Sequence, residues 1–89
     1  MDDIILTDNG KKLLTYMKEH DQVLVGKDLI DLTGIKGIYP VLNSLKNKGL
    51  IVECDSIERD FTNSKGETKP KNYKTYQVTD FGRMYQIKD

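Results

Sequence analysis

The 89 residues of this chain make one small domain, which at this length buries only about 60% of its unfolded surface. Fourteen basic and fourteen acidic residues cancel to zero net charge, while the apolar fraction of 37% and charged fraction of 31% favour a folded domain over a disordered one. No apolar run approaches the roughly 20 residues of a membrane helix, so we expect no membrane span. The single cysteine excludes an internal disulfide and fits a reducing cytoplasm.

The basic residues are concentrated in two segments, although the total charge is zero. Residues 34–49 contain three lysines and no acid, and residues 59–74 contain five basic residues against two acidic ones. A neutral protein whose basic residues are grouped in this way can still present one basic face.

The first helix is predicted to begin at Thr7 or Asp8 and to run to about His20. Both side chains carry an oxygen that can accept a free amide hydrogen of the first helical turn. The apolar run at residues 23–25 then predicts a brief strand or an extended entry into the next helix.

A pair of helices follows, with a glycine turn between them. The first spans residues 28–32, and Gly34 breaks it because glycine adopts left-handed backbone angles without steric cost. The second spans residues 36–48 and stops at Gly49. Its apolar residues recur at three- and four-residue spacing and therefore share one face: Ile38, Val41, Leu42 and Leu45.

The second half of the chain predicts a hairpin and a last helix. Residues 50–58 and 72–79 favour strands, and the polar stretch 62–71 between them is typical of an exposed loop. We expect three side chains of the first strand, Leu50, Val52 and Cys54, to face inward. We expect two of the second strand, Tyr76 and Val78, to share a face. Thr79 repeats the cap of Thr7, and the helix after it has three apolar residues: Phe81, Met84 and Tyr85.

This order of elements resembles the winged helix-turn-helix domain of small bacterial and phage transcription regulators, such as the MarR-like families. The segment LNSLKNKGLI at 42–51 resembles the end of their recognition helix and the start of the hairpin called the wing. The segment YQVTDFG at 76–82 resembles the end of the wing and the next helix cap. Pro40 lies inside the recognition helix and departs from the pattern; the departure is mild if Pro40 lies in the first helical turn, which tolerates a missing N–H. The long terminal helices on which full-length MarR-like proteins pair are absent.

The resemblance implies one α+β domain over residues 1–89, with a three-helix core, a two-stranded wing and a short C-terminal helix. Its recognition helix, residues 36–48, would enter the major groove of double-stranded DNA, and the wing, residues 59–74, would rest on the backbone. A single half-site usually binds weakly, so we expect a homodimer through residues 4–6, the first helix or the last helix.

The candidate DNA-binding residues lie on the recognition helix and on the wing. Exposed Asn and Ser are unfavourable within a helix, and an amide side chain can pair with an adenine edge. Lysines of a wing can reach phosphates. The helix candidates are Lys36, Tyr39, Asn43, Ser44, Lys46 and Asn47, and the wing candidates are Lys65, Lys69, Lys71 and Lys74.

Other functions have weaker support in the sequence. The G-x-x-G at residues 34–37 matches KH RNA-binding domains, but the strand order around it does not. No catalytic set, metal-ligand cluster or cofactor motif is recognisable, so we expect no enzyme, metal or cofactor. Zero net charge leaves open a winged helix that binds a protein, as an adaptor or anti-repressor. One contiguous positive face joining Lys36, Lys46, Lys69 and Lys71 would favour DNA. An acid-neutralised face with an exposed apolar patch would favour a protein.

Overall fold

The computed structural model describes residues 4–87, which form four helices and a three-stranded antiparallel sheet. In chain order the elements are α1 Asp8–Glu19, β1 Leu24–Val25, α2 Gly26–Thr33, α3 Ile38–Asn47, β2 Ile51–Thr62, β3 Thr68–Val78 and α4 Asp80–Met84. The predicted α+β class and the predicted order of helices and strands are confirmed. No helix within this part of the chain is both long and apolar enough to cross a membrane.

The sheet has three strands, in the order β1-β3-β2, where the sequence predicted a two-stranded hairpin. The added strand is the short run at 23–25 that left two interpretations open, since Leu24 pairs opposite Tyr76. β3 is consequently the central strand, with β1 on one side near its end and β2 along its whole length.

The hairpin is longer, and its loop shorter, than predicted. β2 extends to Thr62 and β3 begins at Thr68, so the exposed loop contracts from residues 62–71 to 63–67. The Asn63 side chain closes this turn by accepting hydrogen bonds from two backbone amides, at 2.9 and 3.0 Å. The outer hairpin has few apolar residues, so no regular alternation of apolar and polar residues indicated strand there.

One prediction about the facing of β2 is wrong. Val52 was expected to face inward, but it is 47% exposed, and Ile51 is buried in its place opposite Val78. Leu50 is buried as predicted, but it precedes the strand, so the alternation of faces begins one residue later than assumed. A register shift after Cys54, which is half-buried, then changes the alternation again.

The core lies where α1, α2 and α3 pack on the base of the sheet. Leu42 and Leu45 are buried in one cluster with side chains of α1 and α2, which confirms the predicted phase of the α3 helix. The fully buried side chains of this cluster include Leu13, Leu14, Met17, Leu29, Ile38, Leu42, Leu45, Tyr76 and Val78. Tyr76 and Val78, which were predicted to share a face, are both buried.

The turn between α2 and α3 shifts the start of α3. Gly34 ends α2 in the left-handed region, with φ of 76°, as the sequence predicted. α3 begins at Ile38, and not at residue 36, because Gly37 occupies the N-cap position and Lys36 belongs to the turn. Pro40 is therefore the third helical residue, within the first turn, where its lack of an N–H costs no helical hydrogen bond.

α1 and α4 begin with the same cap. The Thr7 hydroxyl oxygen accepts a hydrogen bond from the Gly10 amide, and the Thr79 hydroxyl oxygen accepts one from the Gly82 amide, each at 3.0 Å. The Thr79 hydroxyl also donates to the Gly49 carbonyl at 2.6 Å. This second bond fixes the start of α4 against the end of α3.

The apolar side chains of α4 are less buried than the sequence indicated. Gly82 packs directly on the Leu50 backbone, but Phe81 is 50% exposed and Met84 is 81% exposed. Five residues form only one turn and a half, so the helix ends before it can cover them. Only Tyr85, which follows the helix, is half-buried.

The two ends of the described chain lie together beside α1. The Tyr85 hydroxyl donates to the Ile4 carbonyl at 3.1 Å, and Lys18 Nζ donates to the Tyr85 carbonyl at 2.5 Å. Residues of both ends line a pocket of about 210 Å³, and one of them, Ile5, is 82% exposed. Exposed apolar side chains therefore surround Tyr85.

Candidate nucleic-acid interface

α3 presents an exposed line of polar side chains on the face opposite the core. Tyr39, Asn43 and Asn47 follow one another at four-residue spacing, and all three are exposed. Lys36 is also exposed, but it lies in the turn before the helix. Because Ile38, Leu42 and Leu45 fix the opposite face in the core, the orientation of this line is determined by packing.

Two of the candidate residues on α3 are engaged within the protein. Lys46 Nζ lies 3.5 Å from a carboxylate oxygen of Glu53 on β2. The Ser44 hydroxyl oxygen is half-buried and accepts a hydrogen bond from Lys48 Nζ at 2.8 Å. Both contacts are partly exposed, so solvent screening keeps them weak, but they reduce the free charge and hydrogen-bonding capacity of this end of α3.

The candidate lysines of the hairpin have different surroundings. Lys65 is exposed in the tip, and Lys69 lies near the tip with its ammonium 3.8 Å from the Glu67 carboxylate. Lys71 and Lys74 are nearer the base of β3, and within residues 4–87 neither has a carboxylate oxygen within 4 Å. The uncompensated charge of β3 is therefore concentrated toward the helices.

A groove of about 420 Å³ runs between α3 and β3 and brings four of the ten candidates together. These four are Tyr39, Asn43, Lys71 and Lys74. The other lining residues were not predicted as site residues: Lys27, Asn72, Tyr73 and Tyr76. The remaining six candidates lie outside this groove, in the turn before α3, on the end of α3 or near the hairpin tip.

Gly26, the first residue of α2, allows the groove to close at its base. A Cβ atom at this position would lie 3.1 Å from the Tyr76 ring and 3.4 Å from the Tyr39 ring. Burial, together with the charge of Glu53, raises the pKa of Tyr76, so its hydroxyl stays protonated in the groove. The absence of a side chain at Gly26 thus lets two tyrosines approach the start of α2.

Two lysines and two aromatic rings form a cluster at the hairpin side of the groove. Lys27 Nζ lies 5.2 Å from the centroid of the Phe61 ring and 5.2 Å from that of Tyr73. Lys71 Nζ lies 5.1 Å and 5.6 Å from the same two centroids. All four distances are within the range of cation–π attraction. We call Lys27, Phe61, Lys71 and Tyr73 the lysine–aromatic cluster.

An ion pair beside this cluster joins β2 to α2. Arg59 donates two hydrogen bonds to the two carboxylate oxygens of Asp28, each 3.0 Å long. This bidentate contact, chiefly through its hydrogen bonds, raises the pKa of Arg59. It also occupies the carboxylate next to Lys27 in the chain, so Asp28 does not compensate that lysine.

The cluster could not be assembled from the sequence because its members come from α2, β2 and β3. A signal existed on the strands themselves. Arg59 and Phe61 are two residues apart on β2, as are Lys69, Lys71 and Tyr73 in turn on β3. These basic and aromatic side chains therefore share one face of the hairpin. Because residues 62–71 were predicted to be a loop, Lys69 and Lys71 were not assigned to a strand face. Lys27 was not a candidate because it lies outside both basic segments.

The chain was compared with known proteins by family and by individual sequence. No protein-family model matches it, and no curated protein gives a significant match.

Proposed function

We propose that this protein is a winged helix-turn-helix regulator of transcription, which binds double-stranded DNA in the cytoplasm of a bacterium or of a phage-infected cell. α3 would enter the major groove, and the β2–β3 hairpin would serve as the wing on the flanking backbone. The bacterial or phage setting rests on the sequence resemblance. The arrangement of α2, α3 and an antiparallel hairpin is compatible with this architecture.

The observation that carries the proposal is the groove between α3 and β3. It places an exposed amide, Asn43, beside the uncompensated lysines Lys71 and Lys74. An amide can pair bidentately with an adenine edge, and an ammonium binds a phosphate oxygen without regard to sequence. A surface that combines both groups can supply specificity and general affinity for a duplex.

The test measures affinity for duplex DNA at several salt concentrations. After selection of a preferred sequence from random duplexes, the logarithm of the affinity should fall with the logarithm of salt, by about 0.9 for each phosphate neutralised. Replacing Lys69 and Lys71 together with Ala should flatten this slope by up to about 2 and weaken all sequences alike.

Asn43→Ala should behave differently from the lysine variants. A bidentate amide–adenine pair gives roughly 1–3 kcal/mol of discrimination, so the variant should lose affinity for the selected sequence and keep its affinity for random duplexes. Asn9→Ala, which removes an exposed amide from α1, is the matched control. A wild-type protein that binds no duplex at low salt would contradict the proposal.

The second candidate function is a winged helix that binds a protein. Two of the lysines expected in a continuous positive face, Lys46 and Lys69, lie near carboxylates. Three apolar side chains near Tyr85 are exposed: Ile5, Phe81 and Met84. We adopt this function if wild type fails to bind duplex DNA and substitution of Met84 with Glu abolishes association with a protein partner.

A further inference from the structure

The two ammonium groups of the lysine–aromatic cluster come from different elements that line the groove. Lys27 is the second residue of α2, and Lys71 lies on β3, yet both approach the same two rings. Because both ammonium groups lie within 5.2 Å of the Phe61 ring centroid, they are at most about 10 Å apart. Both side chains are exposed, so solvent screens the repulsion between the two cations, and both ammonium groups are accessible to an anion.

The surroundings within the described chain supply no such anion. Neither ammonium has a carboxylate oxygen within 4 Å among residues 4–87, and Asp28 is occupied by Arg59. An ammonium has three N–H donors, and the two rings near each lysine engage at most two of them. Each lysine therefore retains at least one donor for an oxygen-rich anion.

We propose that Lys27 and Lys71 form a clamp that binds the DNA backbone at the wing, with each ammonium donating to an oxygen of a backbone phosphate. This inference rests on the proposed function and adds Lys27, outside both basic segments, to the contact surface. Tyr39 and Asn43 line the same groove as the two lysines. If the bases of a DNA strand contact Tyr39 and Asn43, the phosphates of that DNA strand would lie beside Lys27 and Lys71.

Phe61 and Tyr73 are positioning residues for this clamp. Their rings hold the two ammonium groups at 5.1–5.6 Å and restrict side chains that would otherwise sample many rotamers. A lysine that is already held loses less freedom on binding, so the rings increase affinity without touching DNA.

The experiment compares salt slopes on a short random-sequence DNA duplex. K27Q and K71Q should each flatten the log–log slope by about 0.9, and the double variant by about 1.8. K27R/K71R keeps both charges and should keep the wild-type slope. K11Q, which removes a lysine beside the Ile4–Leu6 pocket, is the matched control and should also keep it.

The failure of the clamp is distinguishable from the failure of DNA binding. If wild type binds the duplex and K27Q/K71Q shows the same salt slope as the K11Q control, the clamp is wrong and the proposal of DNA binding is unaffected. If wild type binds no duplex at low salt, the proposed function fails and the clamp fails with it. Tighter binding of a single-stranded oligonucleotide than of the duplex would overturn the clamp in favour of a site for unpaired bases.

The positioning role has its own test. F61L removes a ring that is 37% exposed and keeps an apolar side chain, so the melting temperature should change little. The affinity of F61L for the duplex should fall several-fold. The K11Q control should keep the wild-type affinity. Unchanged affinity in F61L would show that the ring does not position the lysines.

Discussion

At the scale of single residues, two glycines occupy the same position in two identical caps but have different neighbours. A Cβ atom at Gly10 would have the Thr7 hydroxyl as its nearest neighbour, at 3.3 Å, and its other neighbours at ordinary contact distance. A Cβ atom at Gly82 would lie 2.0 Å from the Leu50 carbonyl oxygen and 2.8 Å from a methyl group of Val78. Backbone and a buried valine cannot move aside as the end of a flexible side chain can.

We therefore expect Gly82→Ala to destabilise the domain by about 3 kcal/mol, the upper range for overpacking. Gly10→Ala is the control and should change the free energy of unfolding by no more than about 0.5 kcal/mol. Urea denaturation of both variants measures the difference. Equal midpoints for the two variants would mean that α4 does not pack on Leu50 as described.

Leu42 tests the packing of α3 at the same scale. The side chain is fully buried between the helices and the sheet, so Leu42→Ala should cost about 2–5 kcal/mol through lost burial and a residual cavity. Leu32→Ala removes the same atoms from a side chain that is 54% exposed and should cost far less. Thermal unfolding compares the two, and an unchanged melting temperature for Leu42→Ala would place α3 in a different rotation.

At the scale of elements, an ion pair links the turn after α1 to α4. The Asp21 carboxylate accepts hydrogen bonds from Arg83 at 2.6 and 2.9 Å, and Arg83 also contacts Asp80. Hydrogen bonding to Arg83 lowers the pKa of Asp21 below its ordinary value of 3.8. The link closes the chain over the edge of the sheet where β1 lies.

This link makes stability depend on pH in acid. With a lowered pKa in the folded state, Asp21 stabilises the fold fully above 3.8, and this contribution is lost as the pH falls through the lowered value. In that window the unfolded chain binds more protons, so stability rises with pH. Asp21→Asn should flatten the rise, measured by thermal unfolding between about pH 2 and 5. Asp31→Asn is the control, and an identical pH profile for Asp21→Asn and wild type would contradict the link.

Helical elements were easier to predict from this sequence than strands. The spacing of Ile38, Leu42 and Leu45 gave the core face of α3, and Thr7 and Thr79 gave two helix starts, because both signals are local. The outer hairpin carried no apolar alternation, so its strands were predicted too short. The facing of Val52 depended on where the strand began.

The candidate interface was predictable only in part, for a related reason. The exposed face of α3 follows from its buried face, so Tyr39 and Asn43 could be identified. The contact of Lys46 with Glu53, and the convergence of Lys27 on Phe61, depend on how separate elements pack. No local pattern encodes those distances.

At the scale of the whole molecule, the protein extends to 51 Å along its longest axis and about 20 Å along the others. Its Cα radius of gyration is 14.3 Å, against about 12 Å for a compact domain of this length. The hairpin accounts for the excess, since its outer residues project beyond the helices.

The exposed apolar side chains near Tyr85 lead to a prediction about assembly. We expect a homodimer through this end of the molecule, where the two ends of the described chain meet. Ile5 near one chain end and Met84 near the other are both over 80% exposed. Sedimentation at high micromolar concentration should give twice the monomer mass of 10.2 kDa. Met84→Glu should return the mass to the monomer value, whereas Gln86→Glu, at an exposed polar neighbour, should not. A monomer mass for wild type, both alone and with duplex DNA, would contradict the prediction.

The strand order described above also sets when the nascent chain can fold. β3 is the central strand but the last to be synthesised, so β1 has no partner until Tyr76 arrives opposite Leu24, more than fifty residues later. Until then Leu42 and Leu45 lack the side chains of Tyr76 and Val78 that complete their core. α1, α2 and α3 emerge from the ribosome before the β2–β3 hairpin that completes their core, so we expect the core to form only after β3 has been synthesised.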